Sequence, residues 1–371
     1  MKAASAATSP TGVPAPAAPA AEPGERLLRA ARRLPVDATP VWFMRQAGRS
    51  FPAYRALRER YAILALAKTP ELCAEVTLMP VEALGVDGAV LFADIMLPLE
   101  PMGVELTIEP EVGPIIHRPI RAAADVARLR PIEPAEEVGF VMQAIRLVRR
   151  ELEGSGVALI GFSGAPFTLA CYLVEGRPSR DFARAKALMY GEPATWAALM
   201  ELLSEVVVRY LRAQVEAGAQ VVQLFDSWVG SLSPADYASY VAPWSRRIFE
   251  SLADVPTIHF GTGTAGLLES LAAAGGDVIG VDARVPLDEA WRRVGHDRGV
   301  QGNLEAARLL AGWPATEAGA RDVLARAGGR PGHIFNLGHG VLPETDPAML
   351  RRLVELVHAE TAVAAAPGAG A

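Results

Sequence analysis

Two guanidiniums open the chemistry of this chain. Arg45 and Arg49 stand four residues apart in PVWFMRQAGRSFPAY (40–54), where an apolar run stops abruptly and gives way to Gln46, Gly48 and polar residues. Arg stays charged and presents a planar fork that meets a carboxylate in two bonds, so a pair at the mouth of a buried strand favours a polyanionic ligand. A solvated loop that happens to carry Arg is the plainer alternative. The density of Trp, Met, Gln and Gly around the pair speaks against it. Lysine tells by its scarcity, since the only lysines are Lys2, Lys68 and Lys186. Lys2 lies in a tail and the other two in stretches that read as helix, so a Schiff-base mechanism, which needs a lysine in the pocket, has hardly a candidate.

A clamp of this kind needs a rigid frame. The 371 residues suffice for one barrel with insertions or for two ordinary domains. With 51% hydrophobic and 21% charged residues the composition is that of a soluble globular enzyme, and no run of about 18 apolar residues predicts a membrane span. A net charge of -6 offers nucleic acid no bulk attraction, so anion binding must come from local Arg placement. Cys73 and Cys171 lie far apart, which supports neither a disulfide framework nor a Cys-rich metal site and fits a reducing, cytoplasmic setting. Residues 1–25 are mostly Ala, Pro, Ser and Thr and read as a disordered leader. They lack the basic start and apolar centre of a secretory signal and carry no Arg before Arg26, unlike a mitochondrial presequence. Residues 361–371 form a similar flexible tail. No low-complexity linker interrupts 26–360, so one continuous domain is expected there.

Within it, short β-branched runs alternate with longer amphipathic ones, the signature of a parallel sheet with crossover helices. The expected strands are 39–45, 87–94, 157–163, 220–226, 256–260, 277–282, 299–302 and 333–338. The best helical patterns are 70–85, 138–153, 192–217, 234–253, 286–295 and 344–360, with Pro70 and Pro234 at first-turn positions where a missing N–H costs nothing. Residues 104–119 alternate and carry a Val-Gly-Pro turn, which predicts an antiparallel β-hairpin inserted after the second strand. About eight strand-helix repeats predict an α/β fold, a single (β/α)8 TIM barrel. One pattern pulls elsewhere. GTGTAG (261–266) fits G-x-G-x-x-G after a strand, and Asp282 closes the next strand where a ribose-binding acid would sit. It falls at the fifth strand instead of opening the chain, and Gly-rich turns after barrel strands are common, so a tight strand-to-helix turn is the preferred reading.

The active site of such a barrel lies at the carboxyl ends of the strands. The first strand ends in Arg45 and Gln46, the second in Asp94, the third in Gly161-Phe162-Ser163-Gly164, the fourth in Asp226-Ser227 and the eighth in Asn336-Leu337-Gly338-His339-Gly340. With these residues in view, the chain resembles the uroporphyrinogen decarboxylase family of haem biosynthesis over about residues 26–360. PVWFMRQAGRSFPAYR and GFSGAPFTLACYLVEG (161–176) look like its two signatures. FADI (92–95), FDSWVG (225–230), QGN (301–303) and NLGHGVLPETDP (336–347) are similar to further family segments. The chain departs from the family's QGNLDP in reading QGNLEA, a change expected to alter a helix start.

The resemblance implies decarboxylation of the four acetate side chains of uroporphyrinogen III to methyl groups, giving coproporphyrinogen III, without metal or organic cofactor. It also implies a homodimer with facing clefts. By the same resemblance Asp94 accepts hydrogen bonds from the pyrrole N–H groups, Arg45 and Arg49 bind substrate carboxylates, and Arg45 is cast as a proton donor. Arg is poorly matched to that last task at neutral pH. Tyr172 in the second signature and Ser227 would contact carboxylates, His339 would donate to a propionate or carry a proton, and Gln46 and Phe225 would line the cleft. His117, His259, His296, His333 and His358 match no motif. Corrinoid or coenzyme M methyltransferases share the fold and ancestry, but their zinc site needs thiolates at strand ends, and this chain places His339 where they carry Cys. A serine hydrolase around Ser163 fails because G-F-S-G-A is not G-x-S-x-G. A noncatalytic porphyrin carrier would keep the Arg clamp and lose the Asp; Asp94 is present.

Overall fold

The computed structural model describes residues 25–109 and 112–363. Nearly all of the expected leader and tail lies outside the described residues. Among the described residues nine strands occur: β1 Gly88–Val90, β2 Leu106–Glu109, β3 Gly113–Ile116, β4 Ala158–Gly164, β5 Val221–Phe225, β6 Thr257–Phe260, β7 Val278–Gly280, β8 Gly299–Gln301 and β9 His333–Ile334. Seven of them form one parallel sheet in the order β1-β4-β5-β6-β7-β8-β9, each neighbour joined by a crossover. The segment expected as the first strand closes this sheet. Val41 bridges Phe335 in parallel, Phe335 N–H donates to the Pro40 carbonyl at 2.8 Å, and Asp87 N–H donates to the Val41 carbonyl at 2.8 Å on the other side. An α/β barrel of eight staves results. β2 and β3 stand apart as an antiparallel pair between β1 and β4, with Leu106 opposite Ile116.

Period-2 alternation puts one side chain in two into the barrel. Trp42, Val90, Ile160, Val221, Ile258, Phe260, Val278 and Ile334 fill the interior, and Leu27, Ala30 and Ala31 of the helix Arg26–Ala31 plug its amino-terminal end. Alternate residues such as Leu159, Leu224, Ile279, Val300 and Phe335 face the surrounding helices. Both faces of the sheet are therefore buried, which is why the staves read as nearly continuous apolar runs. The interior also holds a short polar relay. Trp42 Nε1 donates to Gln301 Oε1 at 2.9 Å, and Gln301 Nε2 donates to Gln223 Oε1 at 3.0 Å.

Five of the expected helices occur within a few residues of their sequence bounds: Pro70–Leu84, Gly139–Glu151, Pro193–Ala217, Leu287–Val294 and Pro347–Thr361. The sixth, 234–253, is broken into Pro234–Tyr240 and Ala242–Glu250, with Val241 at φ -127°, ψ -50°. Pro243 stands two residues on, and its ring and missing N–H cannot continue a helix from the preceding turn. Several helices were not legible in the sequence. Pro166–Glu175 buries every residue except Tyr172 and Glu175, so it has no polar stripe to betray a 3.6-residue period.

Candidate active site

Arg45 leaves the first stave in a left-handed conformation, φ 60°, which a residue with a Cβ adopts only when its surroundings hold it there. Three bonds do so. Phe43 N–H donates to Gln46 Oε1 at 2.9 Å, Gln46 Nε2 donates to the Gly88 carbonyl at 2.9 Å, and Asn336 Oδ1 takes Met44 N–H at 3.2 Å and Leu337 N–H at 2.8 Å. Gln46 is fully buried by these contacts, so its amide braces the turn instead of lining the cleft. The Arg45 guanidinium is left exposed, and its aliphatic stem lies against Gly340, where a Cβ would come within 2.6 Å of Arg45 Cδ. Only glycine allows that approach beside His339. Arg49 is exposed four residues on; its carbonyl takes a hydrogen bond from Arg55 Nη1 at 2.7 Å.

Asp94 follows β1 in a loop anchored by Phe92 N–H donating to Thr77 Oγ1 at 2.9 Å. Its Oδ1 accepts Met96 N–H at 2.8 Å, an Asx-type turn that fixes the carboxylate and leaves Oδ2 for a ligand. An aromatic wall continues from the next staves. Phe162 ends the inward row of β4 and meets Phe225 of β5 edge to face at 5.3 Å, and Phe225 meets Phe260 at 5.9 Å. Tyr172 packs on Trp228 at 4.2 Å, and Trp228 stacks on Phe182 at 4.7 Å. Ser227 is half-buried beside them, its carbonyl held by Thr262 Oγ1 at 2.5 Å. In the sequence Phe162 and Asn336 stand at stave ends and Trp228 within a motif, but none of the three is given a role there.

Charge ties these residues to one mouth. Burial raises the Asp94 carboxyl above its usual range, while the Met96 N–H and the Arg45 guanidinium pull it back down. Burial and the Asp94 charge push the Tyr172 phenol up to about 12, against Arg45. His339 is exposed at the rim yet flanked by enough protein to lose hydration. That loss, with the Arg45 charge next, holds its imidazole below the ordinary value. Arg45 thus acts on Asp94, Tyr172 and His339 together. For Arg49 the charge is felt at Tyr54.

The glycine-rich turn has a local explanation. Gly263 N–H donates to Asp282 Oδ2, and a Cβ on Gly230 would lie 2.2 Å from the Thr262 carbonyl oxygen. Asp282 also accepts Arg284 N–H at 2.9 Å, so the acid staples two loops. Its lone pairs serve backbone N–H groups, which is the tight-turn reading and not that of a ribose-binding acid. Burial lifts the Cys73 thiol to about 12 and the Cys171 thiol well above its ordinary value. Neither is therefore a ready thiolate. Among the described residues no group of three or more His, Cys, Asp and Glu side chains gathers as a metal site. A surface cavity of about 570 Å³ lined by Pro70, Arg146, Arg149 and Ala217 opens away from the mouth and holds none of these residues.

The family profile described as Uroporphyrinogen decarboxylase (URO-D) matches residues 22–360. Uroporphyrinogen decarboxylase of Sorangium cellulosum is 57% identical over 336 residues, covering 90% of this chain and 96% of that protein. The Streptomyces coelicolor protein of the same name is 55% identical, covering 96% and 99%. Among solved structures, a methyltransferase from Methanosarcina mazei superposes with a TM-score of 0.74 at 22% identity, covering 90% of this chain and 97% of that one, a likeness of fold alone. The chain belongs to the uroporphyrinogen decarboxylase family.

Proposed function

We propose that the protein removes carbon dioxide from the four acetate side chains of uroporphyrinogen III, giving coproporphyrinogen III in haem biosynthesis. The observation that carries this reading is the family match from residue 22 to 360, in a chain whose Asp94 carboxyl and Arg45 guanidinium both follow staves at the carboxyl end of the barrel. The electrons of the breaking carbon–carbon bond need somewhere to go, and an electron-rich pyrrole can accept them once a proton is added to the ring carbon beside its nitrogen. The cation so formed draws in the electron pair, carbon dioxide leaves, and an exocyclic methylene remains. A second proton converts that methylene to methyl as the ring carbon gives its proton back. Each cycle therefore consumes one proton and one carboxylate.

Each residue then has a physical task. Asp94, held by the Met96 N–H, accepts pyrrole N–H bonds and faces the transient cation in a site of low dielectric, where a fixed charge stabilises more than it would in water. Arg45 and Arg49 receive peripheral carboxylates. Tyr172, a neutral phenol at any physiological pH, donates to the departing carboxylate, and Ser227 does the same from β5. His339 serves as a neutral imidazole near pH 7. Phe162 and Phe225 present apolar faces to the macrocycle. The protein is further proposed to work as a cytoplasmic homodimer, which sedimentation equilibrium checks by a mass of two chains. The direct test incubates purified, chelator-treated protein with uroporphyrinogen III under reducing, anaerobic conditions and resolves products by carboxylate number. A stepwise ladder down to four carboxylates is expected, and an unchanged octacarboxylate overturns the reading.

A further inference from the structure

Arg284 is a charged residue at the mouth that no motif accounts for. It lies four residues beyond the last residue of β7, on the same end of the barrel as Arg45 and His339. Its backbone is fixed, because its N–H donates to the buried Asp282 carboxylate, which also holds the Gly263 N–H. The loop is wedged against the β9 loop as well. A Cβ on Gly338 would come within 2.3 Å of the Ala283 nitrogen, so Ala283 and Arg284 sit directly against the Gly338-His339 turn. The side chain behaves differently from its backbone. It is 70% exposed, and its nearest carboxylate oxygen, on Asp282, is 3.5 Å away, beyond a good charged hydrogen bond. Its guanidinium lies over Gly263, within 3.0 Å of where a Cβ would stand there, and its charge bears on His339.

A guanidinium with an anchored base and unused donors is pre-organised for an anion, with little ordering entropy left to lose. We infer that Arg284 is a further substrate-binding residue, holding a peripheral carboxylate of the macrocycle on the β7–β9 side of the mouth while Arg45 and Arg49 hold others from the first stave. The inference rests on the proposed substrate. A polyanion spread over the mouth needs cations on more than one side, and the first stave supplies both assigned arginines. Asp282 is then a positioning residue, and the GTGTAG turn is the platform over which the fork lies.

The test compares Arg284→Lys, Arg284→Gln and Arg284→Glu with the parent enzyme in steady-state decarboxylation, and titrates each with uroporphyrin I, the oxidised octacarboxylate that does not react. An exposed charge pair supports a change of roughly fivefold at most. KM and the uroporphyrin Kd are expected to rise about twofold to fivefold in the Gln variant, less in the Lys variant and more in the Glu variant, with kcat within about twofold of the parent. The difference between parent and Gln variant should shrink at high ionic strength, as a screened contact requires and a folding defect does not. Unchanged KM and Kd across the three variants, or a loss in kcat alone, overturns the inference. If the parent decarboxylates uroporphyrinogen and the variants match it, the inference alone fails. If uroporphyrin binding depends on Arg284 but no variant or parent turns over, the inference stands and the proposed reaction falls.

Discussion

Burial raises the Asp94 carboxyl, so the ionised form on which the proposed chemistry depends is held in place against the preference of its own site. Two expectations follow at this scale. Asp94→Asn keeps the size and the Met96 contact but removes the charge, and kcat should fall by about 10²–10³, the range for loss of one pre-organised electrostatic partner. Uroporphyrin binding should persist, because the arginines remain. The same substitution should stabilise the fold. With the folded pKa above the unfolded one, the contribution of a protonated Asp94 is fully present below the ordinary carboxylate pKa of about 4 and is lost as pH rises through the folded value. At pH 7 the Asn variant should therefore melt above the parent, and the gap should close as pH falls below about 4. A variant that melts lower than the parent at pH 7 would mean that Asp94 is structurally favourable as an anion. Parent activity should fall in acid through an apparent pKa above the usual carboxylate range, and a pH–kcat/KM profile reads it directly.

At the scale of elements, what could be seen in the sequence depended on where polarity changes abruptly. Stave ends were legible because an apolar run buried on both faces stops at Arg45, Asp94, Asp226 and Asn336 in a single step. Arg45, Asp94, Tyr172 and His339 could be nominated from those ends and from motif likeness. Gln46, nominated with them, has its amide turned into the backbone, and no local pattern distinguishes a bracing amide from a binding one. Trp228 and Arg284 had no role legible in the sequence because their roles come from neighbours on other staves. The break at Val241 was missed because Pro243 sits in a stretch whose apolar spacing remains helical on either side. The contact between the β7 and β9 loops makes a testable claim about such inter-element packing. A Cβ on Gly338 meets the Ala283 backbone, which has no rotamer with which to give way. Gly338→Ala should lose about 1–3 kcal/mol in urea unfolding and raise KM by displacing His339 and Arg284 together. Gly139→Ala, at a helix start with open space around it, should stay within about 0.5 kcal/mol of the parent.

Closure of the whole barrel converges on Asp87, at the end opposite the mouth. Its Oδ2 accepts Val41 N–H at 2.7 Å and lies 2.7 Å from His358 Nε2, while Oδ1 accepts Arg26 Nη1 at 3.1 Å. One carboxylate thus joins the first helix, the first stave, the second stave and the last helix. His358 lies 271 positions from Asp87 in the chain, so nothing local in the sequence announces the junction. His358, which matched no motif, finds its partner here. The Asp87 side chain is only 11% exposed, and removing it leaves the buried Val41 N–H and His358 Nε2 without their partner, while Arg26 keeps both of its bonds to Asp37. A buried donor left unsatisfied costs about 1–3 kcal/mol. Asp87→Ala should therefore lower the free energy of urea unfolding by that amount with kcat at 20 °C within about twofold of the parent, since the bond network acts on closure and not on the mouth. Equal losses of stability and kcat would place Asp87 in communication with Arg45 along the first stave. A loss below about 1 kcal/mol would show that the Phe335–Pro40 and Asp87–Val41 backbone bonds suffice to close the barrel.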